Sequence, residues 1–226
     1  MSEILFKDRT EAGKELARVL RSRAFSDPVV LALPRGGVTV AAEVARLLKA
    51  ELDVVIARKI GAPGHPEYGI GAISEDEVPH FNPGILKYFD VEGAEVRDTV
   101  QEETDELRRR IRDYRRGRAL PELVGKSVIV VDDGLATGVT AAAAGAYLRT
   151  LEPRELIFAA PVCPEDIAQD VIERFDEIIC LGRPRNFQAV GLWYEDFRQV
   201  EDAEVMRVLE RFHPGTQSQG DDHAKA

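Results

Sequence analysis

One run of residues limits the folds open to this chain more than any other: Val128-Ile129-Val130-Val131-Asp132-Asp133-Gly134-Leu135-Ala136-Thr137-Gly138-Val139-Thr140. Its four leading β-branched residues read as a strand covered on both faces, and the alanine-rich stretch from Ala141 to Leu148 reads as the helix that follows. A strand of that kind, feeding a helix directly, belongs in the parallel sheet of an α/β protein. The turn between them has its own chemistry. Gly134 and Gly138 permit a tight turn, while Thr137 and Thr140 add hydroxyls beside the unpaired N–H groups of a helix start. An anion there meets several donors and the positive end of the helix dipole, a term of ~0.3–2 kcal/mol. Asp132 and Asp133 would repel phosphate, so they call for another partner. Ribose hydroxyls, which are donors, and a hydrated Mg²⁺ ion both suit them. The plain alternative is an ordinary α/β turn with two solvated aspartates. The run has neither the Gly-Lys-Ser/Thr ending of a P-loop nor a G-x-G-x-x-G, which argues against nucleoside triphosphatase and dinucleotide readings.

The flanking chain keeps the same alternation. Asp8 with Glu11 resembles a capping box opening a first helix, with Leu16, Val19 and Leu20 on its apolar face and an end near Ser22. Val29 to Leu33 reads as a strand, Pro34-Arg35-Gly36-Gly37 as a turn, Val38 to Lys49 as a helix and Leu52 to Ala57 as a second strand, which makes a βαβ unit. The turn follows the carboxyl end of a strand, where open α/β sheets bind ligands, and it offers adjacent glycine N–H groups beside an arginine. Arg58-Lys59 would end the second strand. Ile60 to Ile73, dense in glycine and proline, reads as a mobile loop. His65, Glu67 and His80 lack the spaced partners of a structural metal site.

Glu92 to Gly117 predicts a long charged helix with Val96, Val100, Leu107, Ile111 and Tyr114 as its apolar stripe. Its acids come early and its arginines late, which complements the helix dipole and supports i,i+4 pairs such as Glu106 to Arg110. A solvated, salt-bridged helix is the simple reading, and an RNA- or phosphate-gathering face is the alternative. Beyond the central motif, Glu155 to Val162 reads as a strand, Pro164 to Phe175 as a helix, Glu177 to Leu181 as a last core strand and Ala203 to Phe212 as a terminal helix.

At 226 residues the chain can bury one good core, and no linker divides the pattern, so residues 1–212 are expected to form one domain with a polar tail at 213–226. The formal net charge of −10 argues against a general nucleic-acid or anionic-membrane surface. Neither a signal peptide nor a membrane span is apparent, and the expected location is the cytoplasm. Cys163 and Cys180 form no C-x-x-C pair and are expected to be buried free thiols.

The hydrophobic strand ending in Asp-Asp, followed by Ala-Thr-Gly-x-Thr, resembles the motif with which type I phosphoribosyltransferases bind 5-phosphoribosyl 1-diphosphate (PRPP). Gly134 departs mildly, standing where that family usually has a bulkier apolar or small residue. Pro34-Arg35-Gly36-Gly37, the run from Arg58 to Glu67, the Tyr114-Arg115-Arg116-Gly117-Arg118 helix end and the run from Ala189 to Phe197 extend the likeness over roughly residues 4 to 212. Together they look like a group of predicted prokaryotic phosphoribosyltransferases, a resemblance that does not name the acceptor.

The resemblance implies a three-layer α/β/α fold with a mainly parallel sheet and a small hood from about 60–90 and 182–197. It implies transfer of 5-phosphoribose from PRPP to a nucleobase-like nitrogen acceptor, with Mg²⁺ and release of pyrophosphate. Arg35, Gly36, Gly37 and Lys59 would hold pyrophosphate. Asp132 and Asp133 would hold the ribose hydroxyls and, through water, the metal, and Ala136, Thr137, Gly138, Val139 and Thr140 would cradle the 5-phosphate. Phe187, Trp193 and Tyr194 would stack on the base or else pack against the terminal helix. A homodimer follows by analogy alone. The rival implied by the same fold is a non-catalytic sensor of PRPP or a nucleotide that acts on RNA or a protein partner.

Overall fold

The computed structural model describes residues 5–82, 84 and 88–213. The chain opens with α1 (Arg9–Arg21), whose cap is the one the sequence predicts: Asp8 accepts the Glu11 N–H at 2.8 Å, and the Glu11 carboxylate accepts the Lys7 N–H at 2.6 Å. Then come β1 (Val29–Ala32), α2 (Gly37–Leu48) and β2 (Glu51–Val54), followed by β3 (Arg58–Ala62), β4 (His65–Ile73) and β5 (Pro79–Phe81). The second half runs α3 (Ala94–Arg115), β6 (Ser127–Val131), α4 (Val139–Arg149), β7 (Glu155–Val162), a short α5 (Gln169–Ile172), β8 (Glu177–Gly182) and α6 (Asp202–Phe212), with a 3-10 turn at Val190–Trp193.

The central sheet has the order β2-β1-β6-β7-β8 and is parallel throughout, with Val29 opposite Val128 and Ala32 opposite Val131 across its middle pair. Alternation along the strands builds two apolar layers. Val30, Ala32, Ile129 and Val131 face α1, α2, α3 and α6, while Leu31, Val128 and Val130 face α4 and the segment around Val171 and Phe175. The result is the expected three-layer α/β/α arrangement. Strand order reverses between β1 and β6, so the turns leaving their carboxyl ends share the crevice where such sheets bind ligands.

Three expectations need correction. Ile60 to Ile73 is not a loop but most of an antiparallel sheet, β3-β4-β5, with Arg58 and Lys59 beginning β3 rather than ending β2. Its glycines serve close approach of backbones: a Cβ on Gly61 would sit 2.6 Å from the Pro66 carbonyl oxygen, and one on Gly71 would sit 2.6 Å from that of His80. Only Gly64, at the hairpin turn, uses a positive φ there. The helix expected from Pro164 is reduced to Gln169–Ile172, because Ala168 is extended with ψ 137 and the first turn cannot start before it. Cys163, the residue after β7, and Cys180, on the neighbouring β8, are joined as a disulfide rather than left as thiols, their Cα atoms 6.2 Å apart. The tail from Pro214 lies outside the described residues.

The arginines in the second half of α3 and at its carboxyl cap are spent on carboxylates. Arg109 and Arg110 bind Glu106, Arg108 forks onto Glu77, Arg116 meets Glu210, and Arg115 is buried against Glu75. Among the described residues no helix is long and apolar enough to cross a membrane.

Candidate active site

The two turns at the switch point lie directly on each other. Leu33 N–H donates to the Val131 carbonyl at 2.9 Å, and the chain then turns through Pro34-Arg35-Gly36-Gly37, with a cis Pro34–Arg35 bond, into α2. Gly36 and Gly37 are needed for contact with the acidic pair. A Cβ on Gly36 would fall 1.8 Å from an Asp133 carboxylate oxygen, and one on Gly37 would fall 2.7 Å from the Val131 carbonyl oxygen. Arg35 reaches away, its guanidinium 3.5 Å from Asp202 at the start of α6. Asp202 also accepts from Tyr114 Oη at 2.6 Å and Arg109 at 3.0 Å.

After β6, Asp132 turns its carboxylate back to accept the Asp133 N–H at 2.8 Å. Leu135 is buried and its N–H donates to Val162 at 2.8 Å, which presses the middle of the turn onto β7 and leaves Ala136 and Thr137 exposed. Gly138 closes the turn with φ +75 and caps α4, so the first N–H groups of that helix point toward the turn. The Thr137 and Thr140 hydroxyls have no hydrogen-bond partner among the described residues. A small pocket of ≈ 40 Å³ beside Thr137, Gly138 and Val139 is bounded on its far side by His80 and Asn82 at the end of β5.

Arg9 completes the cluster, and the sequence reading missed it. It is the first residue of α1 and is buried; its Nε donates to Asp133 at 2.7 Å, its Nη1 to the Arg198 carbonyl at 2.8 Å, and its guanidinium lies 3.8 Å from the centre of the Phe197 ring. Phe197 rests on Tyr194, 5.0 Å between ring centres, and Tyr194 Oη donates to the Asp133 carbonyl at 2.6 Å. The contacts form a closed ring around Asp133. A cue existed in the sequence: an arginine in the first turn of a helix opposes the dipole, so it needs a local carboxylate.

Trp193 and Tyr194 are buried with Phe6, Ala12 and Val162 rather than with the terminal helix, so neither offers an open face for a base. Phe187 is half-buried and stacks on Trp193 at 6.4 Å and 16°. Val190 fills the space over Gly134, where an added Cβ would be 2.4 Å from it. The mild departure at Gly134 is therefore a packing match. Lys59 Nζ donates to the Glu67 carbonyl at 3.2 Å and is held by the hairpin, apart from the acidic pair.

Burial raises the pKa of both carboxyls. Asp132 is pushed well above the ordinary carboxylate range by burial first and then by the Asp133 charge, with no cation in ion-pair contact among the described residues. Asp133 is raised by burial and pulled back by Arg9. The pair thus holds acceptor oxygens with unmet demand. No group of three or more His, Cys, Asp or Glu side chains among the described residues could hold a metal alone. Two carboxylates suit a hydrated hard cation that shares its remaining ligands with substrate oxygens.

Residues 6–190 match the phosphoribosyl transferase domain. The chain belongs to the phosphoribosyl transferase family. Within that family it is similar to two curated relatives from Mycobacterium tuberculosis strains, each named "Putative phosphoribosyl transferase", at 42% identity over 209 residues and 92% of this chain. The chain spans about half the length of those relatives, 47%. It is also similar to a Thermus thermophilus protein with a solved crystal structure, at 40% identity, a TM-score of 0.75, 92% of this chain and 99% of that one. A Neisseria gonorrhoeae protein solved with bound ppGpp shares the fold at 13% identity and a TM-score of 0.53, covering 93% and 98% of the two chains.

Proposed function

We propose that this phosphoribosyl transferase domain moves 5-phosphoribose from PRPP to a nitrogen acceptor and releases pyrophosphate, with Mg²⁺ as cofactor. The observation that carries the reading is the contact of two anion-suited turns over one acidic pair, with Gly36 and Gly37 packed against Asp133 and Asp132 and the exposed Thr137 turn entering α4. The Gly36-Gly37 turn receives pyrophosphate, with Arg35 released from Asp202 and Lys59 from Glu67 to meet its charge. The Ala136 to Thr140 turn receives the 5-phosphate at the helix start. Asp132 and Asp133 accept hydrogen bonds from the ribose hydroxyls, and when Mg²⁺ is bound it neutralises the diphosphate.

Charge builds on the leaving diphosphate as its bond to C1 breaks, so donors and cations placed at that group lower the barrier without a proton transfer. The acceptor is narrowed by Ala136. In the family's enzymes for hypoxanthine and guanine an aspartate at this place handles the base, whereas Ala136 supplies no titratable group. The expected acceptor therefore brings an already nucleophilic or acidic nitrogen. The test is pyrophosphate release from Mg²⁺-PRPP with a panel of nitrogen acceptors. Hypoxanthine and guanine should lag the true acceptor by about 10²–10⁴-fold. Brisk turnover with either would defeat the reading of Ala136, and no turnover with any acceptor, without PRPP binding, would defeat the function.

A further inference from the structure

A second cationic site lies in the groove between α1 and α2, outside the acidic turn. The helices touch closely at Gly13, where a Cβ would fall 2.8 Å from the Val40 carbonyl oxygen. Beyond that contact they open onto a groove of ≈ 330 Å³ lined by Lys14, Ala17, Arg18, Arg21, Glu43, Arg46 and Leu47. That volume is of ligand-pocket size. Lys14, Arg18 and Arg21 follow one another at helical spacing, so they form a row about 10 Å long on one face of α1. All three are exposed, and among the described residues none of them meets a carboxylate. Arg46 faces them from α2, and the groove's single acid, Glu43, is already bound to Arg46 at 2.6 Å. Ala17 and Leu47 give the groove an apolar floor.

In a chain of net charge −10, four cations around one acid are a local reversal of field that random surface composition does not require. The i,i+4 and i,i+3 like charges of this row repel one another, and an extended anion lying along it relieves that repulsion. The groove is concave and short, which suits a small molecule rather than a duplex. We propose that it binds a polyphosphate chain, as carried by a nucleoside triphosphate or by inorganic polyphosphate, with successive phosphates on Lys14, Arg18 and Arg21 and Arg46 closing from the other side. The site is independent of the reaction proposed above.

The test is calorimetric titration of the full chain with tripolyphosphate, ATP and AMP at low salt. Tripolyphosphate and ATP should bind at least about tenfold more tightly than AMP, and Arg18→Gln with Arg21→Gln should weaken both by about tenfold or more. Arg18→Lys with Arg21→Lys should stay close to wild type. Tighter ATP than tripolyphosphate assigns a nucleoside to the Ala17 and Leu47 floor, while equal affinity assigns the chain alone. Unchanged binding in the double glutamine variant, AMP binding as tightly as ATP, or binding of neither polyphosphate would each overturn the proposal.

Discussion

Two buried clusters in this molecule join carboxylates to an arginine, and they are built to opposite ends. Around Arg115 the opposite charges are matched, although Nε itself is buried without a hydrogen bond. Its Nη1 and Nη2 fork onto Glu75 at 2.6 and 2.8 Å, Nη2 also donates to the Val54 carbonyl at 2.6 Å, and Asp53 lies 3.6 Å from Nε. Glu75 in turn accepts the Ile56 N–H, and Asp53 accepts the Val54 N–H, each at 2.8 Å. Burial works against the Arg115 charge, but the Glu75 hydrogen bond and the Glu75 and Asp53 charges raise its pKa above the usual value. Around Arg9 the two carboxylates of Asp132 and Asp133 share one guanidinium, which touches only the second. The charge-matched cluster ties α3 to β2 and the hairpin; the acid-rich one, at a switch point, keeps an excess of negative charge that a ligand-borne cation or hydroxyl can meet.

Six variants put this contrast at risk, the first with the largest effect. Arg115→Met leaves buried Glu75 without its cation, and Asp53 with the more distant Arg118, and should destabilise the fold by about 3–5 kcal/mol in urea titrations. A loss below about 1 kcal/mol would erase the distinction between the clusters. Arg9→Met should instead weaken PRPP binding by about ten- to hundredfold, the loss of one charge-assisted hydrogen bond being about 1.5–3 kcal/mol, with Asp133→Asn and Thr137→Ala in the same range. Calorimetry in the presence of Mg²⁺ reads it. Undiminished affinity in all three would remove this site from the account.

Asp132→Asn should stabilise the folded state at neutral pH. The sign follows from the raised pKa: the unfolded chain ionises Asp132 more easily, so the native carboxyl costs stability above the ordinary carboxylate range and stops costing it once both states are protonated. The gain should shrink as thermal melts are repeated toward about pH 3.5, and a gain that grows with acid would contradict it. The smallest effect belongs to Glu106, which the hydrogen bond from Arg109, and then that from Arg110, hold down at about 2 against an ordinary 4.5. Its contribution is present above pH 4.5 and fades as pH falls toward 2, so Glu106→Gln should flatten that part of the acid-unfolding curve.

The legible half of the site was the half written in consecutive residues. Val128 to Thr140 carries strand, acids, turn and helix start on one stretch, and Pro34 to Gly37 carries its turn in four residues, so local rules reach them. Arg9 stands 124 residues from Asp133, and although an arginine in a first helical turn asks for a carboxylate, nothing local says which one answers. The hairpin was hidden for another reason, because glycine signals both free backbone and crowded backbone, and only the partners at Pro66 and His80 show which applies. The aromatic segment was recognised as unusual, but its partner, Phe6, lies at the other end of the chain.

The ring around Asp133 draws on residues 9, 133, 194, 197 and 198, and that spread sets an order on its assembly. On a ribosome, Arg9 and Asp133 exist together well before the Phe197 ring and the Arg198 carbonyl that fix the guanidinium. At about 5–20 residues per second the delay over those 65 residues is roughly 3–13 s. During that interval the sheet order can already be set while the acidic turn still lacks its clasp, so the site matures after the scaffold that carries it.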